Sequence, residues 1–143
     1  MRKMKINYIL DEGAFAPSQG HSADAGYDLK VPADKCIFIK PKESTIVDTG
    51  VHFEIPEGYV GFIKSKSGLN VKHGLVCEGV IDSGYTGSVV VKMYNLSEEP
   101  YFMNGGDKLT QIVFLPIPKI EFEQVDTFAD TERGDNGFGS TGK

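Results

Sequence analysis

The chain has 143 residues, a length that suits one domain around a single buried core. Hydrophobic residues make up 40% and charged residues 24%, which excludes disordered, collagen-like and coiled-coil classes. With 15 basic against 20 acidic side chains the net charge is −5, and no concentrated basic face of the kind that binds duplex nucleic acid is readable.

The opening Met1-Arg2-Lys3-Met4-Lys5 has the basic character of a signal peptide, but Asn7, Asp11 and Glu12 break the apolar stretch such a peptide requires. The longest greasy run, Ile112 to Leu115, is far too short to span a bilayer. A cytoplasmic protein without membrane association is expected. Cys36 and Cys77 are too few for a disulfide framework and lack zinc-ligand spacing, so both are expected as buried, reduced thiols.

Met4, Ile6, Tyr8 and Leu10 recur at a mostly period-two spacing, which predicts a strand at the start of the chain. Further strands are predicted at Cys36 to Ile39, Thr45 to Ile55, Tyr59 to Lys64, Leu75 to Cys77, Gly79 to Asp82, Ser88 to Asn95, Tyr101 to Met103, Lys108 to Leu115 and Ile120 to Val125. Turn signals such as Pro56-Glu57-Gly58 and Asn104-Gly105-Gly106 separate them. One short helical turn is predicted near Ser67 to Lys72. The 17 glycines favour the same picture of short strands and tight turns, an all-β roll or sandwich without repeats or interdomain linkers.

The stretch 127–143 differs. Phe138 is its only large apolar residue after Phe128, so it cannot build a core of its own. Arg133, Phe138, Ser140 and Thr141, interleaved with glycines, nevertheless offer a cation, a stacking ring and hydroxyl donors on a backbone able to wrap a phosphate. Gly137 to Lys143 also matches the opening of a P-loop, but that loop requires a preceding strand, a Ser or Thr after the lysine and a following helix, so an ATPase of that type is not expected. His21, His52 and His73 have neither the spacing nor the company of a zinc site and are expected to be structural or exposed. Asn95-Leu96-Ser97 fits a glycosylation sequon by chance.

Five segments carry the chemistry. They are Ala25-Gly26-Tyr27-Asp28-Leu29; Pro56 to Ile63 continuing to Lys66-Ser67-Gly68; Gly79-Val80-Ile81-Asp82-Ser83-Gly84-Tyr85-Thr86-Gly87; Gly106-Asp107-Lys108-Leu109-Thr110-Gln111; and Arg133 to Gly142. From residue type alone, Asp82 reads as a turn-capping aspartate, Tyr85 as a sheet aromatic of the core, Gln111 as an exposed polar residue on an edge strand and Asp28 as a turn residue. Taken together and in this order, the five segments resemble the motifs of the trimeric dUTPase family across nearly the whole chain.

The resemblance implies a distorted β jelly roll over residues 1–126, with the glycine-rich tail 127–143 closing over the active site of a neighbouring subunit in a homotrimer. It implies hydrolysis of dUTP to dUMP and pyrophosphate by water attacking the α-phosphorus, with Asp82 as general base. Tyr85 is implied to exclude a 2′-hydroxyl, and the segment around Gly79 and Ile81 to read the uracil edge through its backbone. Lys66, Ser67, Gly68 and Gln111 are implied to bind phosphate, while Phe138 stacks on uracil, Arg133 pairs with the γ-phosphate and Gly139, Ser140 and Thr141 complete the tail's contacts. Mg²⁺ is implied to ride mainly on the substrate triphosphate, reaching Asp28 through water at most. Lys66 departs from the Arg common in the family at this position, keeping the charge without the planar bidentate fork. A dCTP deaminase shares the fold, but the Arg expected four residues after the serine is here Val71. A nucleotide-sensing module that has lost turnover is the remaining alternative.

Overall fold

A computed structural model describes residues 3–139 and 142. Ten strands and one short helix follow one another as β1 (Asn7–Leu10), β2 (Tyr27–Lys30), β3 (Cys36–Ile39), β4 (Ser44–Glu54), β5 (Tyr59–Lys64), α1 (Ser67–His73), β6 (Leu75–Val76), β7 (Glu78–Ile81), β8 (Ser88–Asn95), β9 (Tyr101–Asn104) and β10 (Lys108–Pro116). They form two four-stranded sheets, β1-β4-β8-β6 and β2-β10-β5-β7, and a two-stranded ribbon, β3-β9. Every pairing is antiparallel. Most neighbours in the sheets are distant in sequence, the signature of a jelly roll rather than a meander.

The side-chain alternation of the strands builds the core. In β8, Val89, Val91, Met93 and Asn95 are buried while Val90, Lys92 and Tyr94 face outward. Their inward set joins Val47 and Val51 of β4, Leu29 of β2, Ile63 of β5, Ile112 of β10, and Ile37 and Met103 of the ribbon in one cluster. Both sheets and the ribbon thus share a single core. Its polar members are satisfied: the Asn95 amide donates to the carbonyls of Ile39 (3.0 Å) and Glu99 (2.7 Å), and the Thr49 hydroxyl donates to Val89 (2.7 Å). Asn95 is therefore sealed inside the protein, which disposes of the sequon.

Three expectations are corrected. Strand β2 forms where only a turn around Asp28 was expected. Cys36 is exposed, whereas Cys77 is buried as expected. Residues 120–125 form no strand: they are exposed throughout, and no ladder among the described residues takes them up. Period-two alternation prepares a segment for pairing, but a strand also needs a partner edge. No helix among the described residues is long and apolar enough to cross a membrane.

Candidate active site

Strand β10 lies between β2 and β5, and its register sets a row of chemistry across one end of the sheet. Gln111 is paired with Asp28 on one side and Lys64 on the other, and Lys64 is paired in turn with Glu78 of β7. Gln111 is thus half-buried on an interior strand, not exposed on an edge. Its amide nitrogen donates to the Ser65 carbonyl at 2.9 Å. Gly26 makes the fit, since a Cβ there falls 2.1 Å from Oε1 of Gln111.

Asp28 is 4% exposed and holds two lysines. Lys66 pairs with one carboxylate oxygen, and Lys108 lies 3.4 Å from the other. Burial of this carboxylate is tolerated because two ammonium groups reach it, one of them, Lys108, half in water. The resemblance implies a phosphate role for Lys66 and none for Lys108. In the structure Lys66 is tied to Asp28, yet it still lines an open cavity of ≈ 270 Å³ together with Asp24, Gly26, Asp28, Ser67 and Gln111. Ser67 begins α1 and Gly68 follows, both exposed, with no side-chain cap before them. The helix stops at Gly74, whose left-handed φ of 66° lets its amide close on Asn70.

The cavity is rich in oxygen donors, and hard oxygen ligands suit Mg²⁺ better than thiophilic metals. Among the described residues, however, no three His, Cys, Asp or Glu side chains converge on one point. With both oxygens of Asp28 facing lysines, the donor set fits an ion carried by a substrate and not a cage built by protein.

The third segment lies elsewhere. Gly79 is paired with Ile63 and Ile81 with Gly61, so β7 runs away from the Gln111 row. Three residues of strand separate the Lys64 level from the Gly61 level, about 10 Å, and Asp82 lies one residue farther still. Asp82 is exposed in the turn after β7, where the Tyr85 amide donates to its carbonyl at 3.2 Å. The Ser83 hydroxyl donates to the Ile55 carbonyl (2.9 Å) and the Tyr85 hydroxyl to the Ser88 carbonyl (2.8 Å). Tyr85 is 45% exposed and not a core aromatic. His52 joins this turn through Thr86, a contact that residue type alone did not suggest.

Beneath the hairpin, Cys77 donates toward Thr110 Oγ1 at 3.1 Å, and that hydroxyl donates to the Lys64 carbonyl at 2.8 Å. Burial pushes the Cys77 thiol above its ordinary value, so it serves packing and not nucleophilic chemistry. A second depression, of ≈ 660 Å³ between α1, β7 and β8, contains none of the candidate site residues.

Of the tail, Arg133 is exposed and Phe138 fully exposed, and neither lines the cavity. Arg133 Nε donates to the Asn136 carbonyl at 2.7 Å, a local loop contact. Gly139 takes a φ of 92°. Ser140 and Thr141 lie outside the described residues. The chain thus assembles a lysine-bearing cavity at one end of a sheet, while Asp82, Tyr85 and the tail stand apart from it.

A family model for dUTPase matches residues 13–142. The chain is 37% identical to a deoxyuridine 5′-triphosphate nucleotidohydrolase of Finegoldia magna, covering 97% of this chain and 99% of that one. It is 42% identical to the Mus musculus protein of the same name, over 94% and 82% of the two chains. Among solved structures, a Staphylococcus bacteriophage 80alpha dUTPase with dUpNHpp superposes with a TM-score of 0.91 at 30% identity, covering 99% of this chain and all of that one. A dUTPase variant from phage phi11 of S. aureus, described with a structural Mg(II) ion, superposes with a TM-score of 0.78 at 32% identity over 87% and 99% of the chains. With the family model spanning most of the chain and full-length relatives agreeing in both sequence and fold, the chain belongs to the dUTPase family.

Proposed function

We propose that the chain hydrolyses dUTP to dUMP and pyrophosphate at sites shared between three copies of itself. The observation that carries this reading is the separation of the two half-sites: the Asp28–Lys66–Ser67–Gln111 cavity and the Asp82–Tyr85 turn stand at different levels of one sheet. A single chain does not bring its carboxylate to its own phosphate cradle. A neighbouring copy can, and closed symmetric oligomers commonly form sites at their interfaces.

Surface composition supports the assembly. Ile46, Val90 and Tyr94 expose apolar surface on the outer face of the β4–β8 pair, and Ile120, Phe122 and Val125 are exposed along an unpaired arm. We take residues 1–126 as the catalytic core and 127–143 as the segment that closes over a neighbour's site. Phe138, fully exposed here, offers a face for the uracil ring, and Arg133 a cation for the γ-phosphate.

In the reaction, Ser67, the Gly68 amide, Lys66 and Gln111 bind and orient the triphosphate. The hairpin at Gly79 and Ile81 meets the uracil edge with backbone groups, and Tyr85 lies against the deoxyribose where a 2′-hydroxyl would collide. Asp82 accepts a proton from water as its oxygen attacks the α-phosphorus in line. The P–O bond to the bridging oxygen breaks and its electron pair leaves with pyrophosphate. A Mg²⁺ ion carried by the triphosphate would be held near Asp28 through water at most, and would supply charge neutralisation.

Incubation with dUTP, dCTP or UTP in Mg²⁺ buffer, followed for pyrophosphate and ammonia, tests the reading. Pyrophosphate from dUTP alone is expected. Ammonia from dCTP would move the chain to the deaminases, and no release from any of the three would leave a binding module.

A further inference from the structure

His52 stands at the end of an irregular stretch of β4, where four steps on β4, Asp48 to His52, face two on β8, Val90 to Ser88. Gly50 adopts a left-handed φ of 69° inside that bulge, and bulges re-aim the side chains that follow them. The His52 ring is held at both nitrogens. Nδ1 lies 2.7 Å from the Thr86 carbonyl oxygen, and Nε2 lies 2.9 Å from Oδ1 of Asp11.

Both partners are acceptors. A neutral imidazole has one N–H to give and satisfies only one of them, whereas the imidazolium satisfies both. Asp11 is itself fixed, since its amide donates to the Gly50 carbonyl at 2.8 Å. Ser83 ties the early limb of the Asp82–Gly87 turn to Ile55, while His52 ties the late limb, at Thr86, to β4.

We propose that His52 is a positioning residue for the reaction, acting as an imidazolium clasp between Asp11 and Thr86 that holds the turn carrying Asp82 and Tyr85. This rests on the reading above, in which those two residues serve hydrolysis and sugar selection.

The surrounding charges favour the cation. Hydrogen bonding to the Thr86 carbonyl and then to Asp11 pushes the ring above its ordinary value, against some desolvation, with attraction from Asp11 and Asp48 added. Asp48 is available as an anion: burial pushes its carboxyl up, but bonds from the Gly50 amide and Ser88, with Lys35 and His52 nearby, outweigh burial and hold it low. Across the strands the register partners of His52 are uncharged, Ile9 on β1 and Ser88 on β8. A group whose folded value is raised is fully engaged below its unfolded value, about 6.5 for histidine. It releases as pH climbs through the raised value. The clasp therefore opens on the alkaline side.

The test measures kcat for dUTP and the preference for dUTP over UTP across pH, in the wild type, His52→Ala and His52→Asn. The asparagine amide can take the place of Nδ1 toward Thr86 without titrating. Wild-type kcat is expected to fall as pH rises past the histidine's value. His52→Ala is expected to lose roughly 10- to 100-fold in kcat near pH 6, with a weaker dUTP preference and no such fall. His52→Asn should recover most of the loss and stay flat across the same window. Amide exchange at Tyr85, whose N–H closes the turn, should quicken in His52→Ala.

Wild-type kcat, preference and Tyr85 exchange in His52→Ala would overturn the proposal, as would an alkaline fall that survives in His52→Asn. If His52→Ala does not fold, the wild type and His52→Asn decide alone. If the wild type turns over no dUTP at any pH, the functional reading fails instead, and Tyr85 exchange then decides whether the clasp exists.

Discussion

Gly26 lies against Gln111 so closely that a Cβ on the glycine would fall 2.1 Å from Oε1, 2.9 Å from Cδ and 3.2 Å from Cβ of the glutamine. The last of these atoms belongs to the stem of the side chain, so rotation of the amide alone cannot relieve the collision. Gly26→Ala is expected to break the Gln111–Ser65 hydrogen bond, lower stability by about 1–3 kcal/mol and raise KM for dUTP. Urea unfolding and steady-state kinetics read the two effects. A variant with unchanged unfolding midpoint and KM would mean that the β2 end moves aside.

Asp28 is the anion around which Lys66 and Lys108 gather. Asp28→Asn leaves two ammonium groups without a counter-charge and is expected to cost roughly 2 kcal/mol, below the 3–5 typical of a broken, fully buried pair because both lysines reach solvent. Replacing Lys66 with methionine in the same background should cost little more, because the charge that needed Asp28 is then gone. Independent, additive losses in the double variant would argue that the pair contributes nothing to the fold.

Asp82→Asn should leave the protein folded and KM for dUTP nearly unchanged while kcat falls by about 10²- to 10⁴-fold, the range for a lost general base. Mixing these subunits with subunits truncated before Arg133, after joint unfolding and refolding, then tests the shared site. Each composite site needs its aspartate from a truncated chain and its tail from a substituted one, so with equal amounts roughly a quarter of sites should be intact. A refolded trimer as inactive as its parents would show that tail and aspartate belong to one chain.

Phe138 buries nothing in the free protein and is fully exposed. Phe138→Ala should therefore leave the thermal unfolding midpoint unmoved while weakening nucleotide binding by roughly 1–3 kcal/mol, the loss of one stacking face. Titration calorimetry with a non-hydrolysable dUTP analogue separates the two. Unaltered affinity would remove the ring from base recognition.

Much of the fold could be read from residue order. Strand β8 announces itself by alternation, and the turn glycines Gly58 and Gly106 take the positive φ of 87° and 92° that their positions in Pro56-Glu57-Gly58 and Asn104-Gly105-Gly106 suggest. The five segments stood out through their joint resemblance to the dUTPase motifs, whereas residue type alone read Asp82, Tyr85, Gln111 and Asp28 as ordinary turn, core and edge residues. Strand β2 was not visible. Tyr27-Asp28-Leu29-Lys30 buries a carboxylate in mid-strand, and its neutralising lysines come from 38 and 80 positions away, Lys66 and Lys108, a distance no local pattern spans.

By itself, then, the sequence determined which segments are apolar on one side and where the chain turns, and its five motifs carried the resemblance to the dUTPase family. Only the tertiary structure decided that Gln111 sits inside a sheet against Gly26, that Asp82 stands about 10 Å or more along β7 from the level of Gln111, and that His52 reaches Thr86. The reason is physical: alternation and turn chemistry act between neighbours in sequence, whereas strand order, register and bulges set which distant side chains meet. The arm at 120–125 shows the same division from the other side, since Ile120 and Phe122 alternate with glutamates in the sequence while no strand among the described residues pairs with it.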